Sequence, residues 1–157
     1  MDICIIAVHQ LQYLALGDDI GGAERTAEDA LAAYGMHLGT AFQLIDDVLD
    51  YSGNYEEIGK NIGDDLAEGK PTLPLLYLMK HGTPEQAIMV RRAIEEGGRA
   101  EFQTILAAIG SSGALDYTRR QATREAEIAC AAISGLPDSQ YKSSLLKLAD
   151  FAVNRDY

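Results

Sequence analysis

The residues most able to do chemistry lie in one run. Phe42-Gln43-Leu44-Ile45-Asp46-Asp47-Val48-Leu49-Asp50 sets three carboxylates into an otherwise largely apolar stretch. On a helix, residues four apart share a face, so Asp46 and Asp50 meet there, with Gln43 one turn earlier. Bare carboxylates stacked this way repel by about 0.2–0.5 kcal/mol on a solvated helix. Folding alone gains nothing from that arrangement. Binding of a hard divalent cation does, because Mg²⁺ takes oxygen ligands from one or two carboxylates and from substrate phosphate. The alternative is an acidic patch on a solvated helix face, and three aspartates by themselves do not decide between the two.

Downstream come Gly59-Lys60-Asn61-Ile62-Gly63-Asp64-Asp65 and Glu68-Gly69-Lys70-Pro71-Thr72-Leu73-Pro74. Lys60 and Lys70 offer point charges for a diphosphate, and the glycines let backbone approach a ligand. A P-loop is excluded: five residues separate Gly63 from Gly69 where four are needed, Pro71 replaces the Ser or Thr, and no strand precedes it. An EF-hand is excluded because Gly53 in the loop-glycine position puts Val48 in the first ligand position.

The elements that must position these groups read as all-α. Apolar residues recur at helical spacing, and no Asn-Gly or Asp-Gly hairpin turn interrupts them. Seven helical segments are expected, at about 3–16, 23–51, from Thr72 or Pro74 to about Lys80, 84–96, 100–110, 113–134 and 138–154. The second carries the aspartates. Its stripe runs Leu31, Tyr34, Leu38, Ala41, Phe42, Ile45 and Leu49. A turn through residues 17–22 precedes it, and an irregular stretch, 52–71, follows. Thr83-Pro84 reads as an N-cap with Pro at the first helical position, and Leu136-Pro137-Asp138 as a break with a new cap at Asp138. With no repeat, low-complexity segment or linker, a single helical domain over 1–157 is expected.

Bulk composition agrees with a folded domain. The chain has 157 residues, 47% hydrophobic, with 13 basic and 24 acidic side chains and a formal charge of −11. That balance argues against nucleic-acid binding, which needs clustered Lys and Arg. An acidic protein can still take an anionic substrate if a divalent cation sits between them. Cys4 and Cys130 match no ligand spacing and read as thiols of a reducing compartment. The first 17 residues lack a basic leader region, and no run is long enough to span a bilayer, so a cytoplasmic location is expected. His9, His37 and His81 read as structural or exposed rather than catalytic.

Phe42-Gln43-x-x-Asp46-Asp47-x-x-Asp50, then Gly59-Lys60-x-x-Gly63-x-Asp65, then Gly69-Lys70-Pro71-Thr72-x-Pro74 resemble the second aspartate-rich region of trans-polyprenyl diphosphate synthases, the polyprenyl synthetase family. The wording Gly39-Thr40-Ala41-Phe42-Gln43-Leu44-Ile45-Asp46-Asp47 and Gly69-Lys70-Pro71-Thr72-Leu73-Pro74-Leu75-Leu76 is nearest to bacterial octaprenyl-type members. So are His81-Gly82-Thr83-Pro84-Glu85-Gln86 and Val153-Asn154-Arg155-Asp156. The likeness covers nearly the whole chain.

The resemblance implies the C-terminal part of the isoprenoid synthase helical bundle and a prenyltransferase that extends an allylic diphosphate with isopentenyl diphosphate, as in isoprenoid and quinone side-chain biosynthesis. Asp46 and Asp50 would be Mg²⁺ ligands, with Asp47 a ligand through water or a support. Gln43 would face the substrate, and Lys60 and Lys70 would neutralise the allylic diphosphate. Phe42 would line the cavity or belong to the core, and Arg155 would reach the isopentenyl diphosphate. A full synthase of this family is roughly twice as long, with a first aspartate-rich motif, following arginines and an upstream Lys-Thr pair that should precede Met1. The chain alone is therefore expected not to turn over. Apolar faces on 3–16 and 34–49 are expected to remain uncovered, forcing association with an N-terminal half or with a second copy. The alternative function is a non-catalytic regulatory or scaffold subunit of a heteromeric synthase.

Overall fold

A computed structural model describes residues 21–52, 64–96 and 101–155. It contains α1 (Gly21–Ser52), α2 (Asp64–Ala67), α3 (Leu73–His81), α4 (Pro84–Glu96), α5 (Phe102–Ser112), α6 (Ala114–Ala132) and α7 (Gln140–Asn154). There is no strand among the described residues, and the fold is all-α. The segment expected to be helical at 3–16 lies outside the described residues, as do His9, Cys4 and Lys60.

The boundaries follow local chemistry. α1 starts at Gly21, inside the expected turn; glycine is tolerated there because the first backbone N–H groups have no intrahelical acceptor to lose. α4 opens with a reciprocal cap: Thr83 Oγ1 accepts from the Gln86 N–H at 3.3 Å, and Gln86 Oε1 accepts from the Thr83 N–H at 2.8 Å. α5 ends at Gly113, whose φ of 77° is in the left-handed region that favours glycine. The cap of α7 is Ser139, not Asp138: Ser139 accepts from the Lys142 N–H at 3.1 Å. Asp138 pairs with the Lys142 ammonium instead, at 3.1 Å, and that ammonium also donates to the Ser134 and Leu136 carbonyls in the turn after α6.

The chain divides into two compact units. The first comprises residues 1–43 and 121–155, and the second comprises 44–120 with the last two residues. In the first, Tyr34 and Leu38 of α1 bury against Ala129, Ile133, Ala149 and Ala152, with Leu31, Phe42 and Leu145 packed around them. Tyr34 donates its hydroxyl to the Leu145 carbonyl at 2.8 Å, and His37 Nδ1 lies 2.6 Å from Glu125. In the second unit, Tyr51, Leu66, Leu75, Leu78, Val90 and Ile105 form the core. There α3 packs on α4 and α5, and α2 packs on α4.

The expectation of an uncovered apolar face over 34–49 is not met among the described residues. Tyr34, Leu38, Ala41, Ile45 and Val48 are all buried, Tyr34 and Leu38 within the core of the first unit. The apolar side chains left in solvent lie mainly elsewhere, at Ile88, Tyr141 and Phe151, with Met36 on α1. No described helix is long and apolar enough to cross a membrane.

Candidate functional site

The second unit begins just before the aspartates, so Asp46, Asp47, Asp50, Asp65 and Lys70 are all held within it. The end of α1 shows two different faces there. Asp47 and Tyr51, four residues apart, are buried at 6% and 4% exposure. Asp46 is exposed and Asp50 is half-buried, on the face one residue, about 100°, further round.

The buried face is tied to the start of α3. Thr72 occupies the cap position in extended conformation (φ −71°, ψ 158°), yet its side chain caps nothing. Its hydroxyl lies 3.1 Å from the Tyr51 hydroxyl instead. The cap's task passes to Asp47, whose Oδ2 accepts from the Leu73 N–H at 3.3 Å. Pro74 has no N–H to offer, and the Asp47 carboxylate meets the positive end of α3 at Leu73. Burial pushes the Tyr51 phenol up. The Thr72 bond pulls against that, and the charges of Asp50, Asp65 and Asp47 push further up. The hydroxyl therefore stays protonated, within electrostatic reach of three carboxylates.

Lys70 sits on the loop between α2 and α3. Gly69 makes the approach possible: its φ is 70°, and a Cβ there would fall 2.6 Å from the Ile94 carbonyl oxygen. The Gly69 N–H donates to the Leu66 carbonyl at 3.0 Å and the Lys70 N–H to the Asp65 carbonyl at 2.9 Å, which closes the end of α2. The half-exposed Lys70 ammonium lies 2.7 Å from both Asp65 and Glu68. These carboxylates raise its pKa, and Lys70 in turn holds Glu68 below the usual carboxylate range.

Phe42 and Gln43 belong to the first unit. Gln43 is exposed. Arg155 donates from Nη2 to the Phe42 carbonyl at 3.0 Å, and its guanidinium carbon stands 4.6 Å from the centre of the Phe42 ring. The structure thus joins two residues that the sequence analysis assigned to separate tasks. His81 stacks on Tyr77, which also contacts Tyr117.

Among the described residues, no three His, Cys, Asp or Glu side chains converge as a metal-holding group. One carboxylate of the motif, Asp47, is turned into the fold. The remaining pair, Asp46 and Asp50, are hard oxygen donors four residues apart, a set that fits Mg²⁺ completed by water and phosphate and does not fit a soft metal. Tyr51 and Thr72 were missed by sequence reasoning. The available signal was the same four-residue spacing, since Tyr51 stands to Asp47 as Asp50 stands to Asp46.

The sequence profile of polyprenyl synthetases matches residues 10–109. The chain belongs to the polyprenyl synthetase family. It is 52% identical over 139 residues to the octaprenyl diphosphate synthase of Haemophilus influenzae, covering 88% of this chain and 42% of that one. Against the octaprenyl diphosphate synthase of Escherichia coli it is 53% identical over 138 residues, covering 87% and 43%. This polyprenyl synthetase chain thus spans about two fifths of the length of these curated relatives. Among solved structures, a heptaprenyl diphosphate synthase from Staphylococcus aureus matches with a TM-score of 0.84 and 27% identity, over 98% of this chain and 47% of that one. A polyprenyl synthase from Caulobacter crescentus, solved with calcium and isoprenyl diphosphate, matches with a TM-score of 0.75 and 35% identity, over 98% and 56%.

Proposed function

We propose that this chain forms the Mg²⁺–diphosphate-binding part of a trans-polyprenyl diphosphate synthase, which extends an allylic diphosphate with isopentenyl diphosphate. The observation that carries the reading is the division of labour on α1: Asp47 is committed to the fold, while Asp46 is exposed and Asp50 half-buried on the adjacent face of an anchored helix. Family membership and the activities of the relatives support it.

In this proposal Asp46 and Asp50 hold Mg²⁺, Asp47 supports them, and Gln43 orients the substrate. Bound Mg²⁺ supplies the electrostatic stabilisation that makes diphosphate a competent leaving group. Lys70 and Lys60 neutralise the diphosphate oxygens; Lys70 exchanges part of its contact with Asp65 and Glu68 for them. Phe42 shapes the wall of the cavity, and Arg155, seated on its ring, faces the isopentenyl diphosphate. The allylic C–O bond breaks with its electrons leaving on diphosphate, the alkene of isopentenyl diphosphate attacks the cation, and a proton is lost. No side-chain nucleophile is needed. The relatives are more than twice as long, so full turnover belongs, in this proposal, to the chain in association with an N-terminal half or in an oligomer.

Calorimetric titration of a non-hydrolysable farnesyl diphosphate analogue, with and without Mg²⁺, tests the reading. The expected result is Mg²⁺-dependent binding that Asp46→Ala abolishes. Equal binding by wild type and Asp46→Ala would overturn it, and would favour a scaffold subunit.

A further inference from the structure

Asp46 and Asp50 can act on one ligand only if α1 is held at a fixed rotation about its axis. Burial of Ile45 and Val48 sets that rotation by non-directional packing. The face carrying Asp47 and Tyr51 adds two directional contacts one turn apart. They reach consecutive residues: the Tyr51 hydroxyl meets Thr72 Oγ1 at 3.1 Å, and Asp47 Oδ2 takes the Leu73 N–H at 3.3 Å. Two contacts on one face fix a rotation that one contact would leave loose. The same pair fixes the start of α3, and Lys70 lies two residues before Thr72. Tyr51 and Thr72 are buried at 4% and 6%, so water does not compete for their bond.

We infer that Tyr51 and Thr72 are positioning residues of the metal–diphosphate site: their hydroxyl pair locks the Asp47–Tyr51 face of α1 to the Thr72–Leu73 corner and so aims Asp46, Asp50 and Lys70 at a common ligand. The inference rests on the function proposed above. It gives Thr72 a use that explains why its hydroxyl abandons the cap position it occupies, and it gives Asp47 a use other than ligation.

The test substitutes each hydroxyl with its nearest apolar counterpart, Tyr51→Phe and Thr72→Val, with Thr72→Ser as the conservative variant. Binding of the farnesyl diphosphate analogue is measured at a series of Mg²⁺ concentrations, beside thermal unfolding of each protein. Tyr51→Phe and Thr72→Val are expected to weaken the Mg²⁺-dependent binding about 10- to 100-fold, the usual effect of removing groups that orient metal ligands. They should also raise the Mg²⁺ concentration needed for half-saturation, with Thr72→Ser restoring both. A merely structural role would lower the melting temperature without moving the Mg²⁺ requirement of the folded fraction. Wild-type affinity and Mg²⁺ requirement in both variants would overturn the positioning role alone. Absence of Mg²⁺-dependent binding in the unsubstituted chain would remove the functional reading, and the positioning role with it.

Discussion

Two tyrosines, one in each compact unit, are both buried and differently employed. Tyr34 in the first unit sends its hydroxyl to a backbone carbonyl, Leu145, amid Leu38, Ile133 and Ala152. Its phenol is raised to about 12, by burial and then by Cys130. Tyr51 in the second unit bonds a side chain, Thr72, and has Asp50, Asp65 and Asp47 within electrostatic reach. The first contact satisfies a polar tip that burial would otherwise penalise, and its consequences end there. The second lies among three carboxylates, two of them in the motif, so disturbing it disturbs charged groups as well as a polar tip. Buried hydrogen bonds of similar geometry therefore differ in what depends on them.

The comparison breaks most visibly in the first unit. Tyr34→Ala should cost about 3–5 kcal/mol, the range for truncating a buried aromatic, read as a shift in the urea midpoint. A loss below about 1 kcal/mol, the level of ordinary surface changes, would mean that this cluster does not hold the unit together. Alkaline titration probes the same residue next. With the unfolded phenol at 10.0 and the folded one at about 12, stability is complete below pH 10.0 and declines as pH rises toward 12. The loss is on the order of 2–3 kcal/mol from this group. Tyr34→Phe should flatten that decline in urea titrations run across the same pH range, and an unchanged slope would count against the raised phenol.

The smallest effect sharpens the contrast inside the motif. Asp47→Ala removes the carboxylate on the Leu73 N–H and should cost about 1–2 kcal/mol, as other lost caps do. Its neighbour Asp46 is exposed, and Asp46→Ala should stay within about 0.5 kcal/mol. In ligand binding the order should reverse, with Asp46→Ala the more damaging. Equal stabilities for the two variants would show that the inward turn of Asp47 contributes nothing to the fold.

Much of the fold was legible because helical periodicity is local. The stripe from Leu31 to Ile45 and the Thr83-Pro84 start each rest on residues within a few positions of one another. Errors fell where two local candidates competed. Asp138 and Ser139 are both good caps, and the choice was made by Lys142, which draws Asp138 into an ion pair. The expected bareness of 34–49 failed for a different reason: a stripe shows that a face needs a neighbour, not which segment supplies it.

An all-α chain, its main helix boundaries, membership in a known family, and an acidic motif whose spacing suits a hard cation are all carried by the order of residues alone. Those follow from periodicity, capping chemistry and the order of motifs. Only the tertiary structure decided that Asp47 faces inward and Asp46 outward, that Thr72 serves Tyr51 and not its own helix, and that Arg155 rests on Phe42. Each of these depends on groups 21 to 113 residues apart, brought together by packing. Spacing along a chain carries no record of which distant partner a side chain will meet.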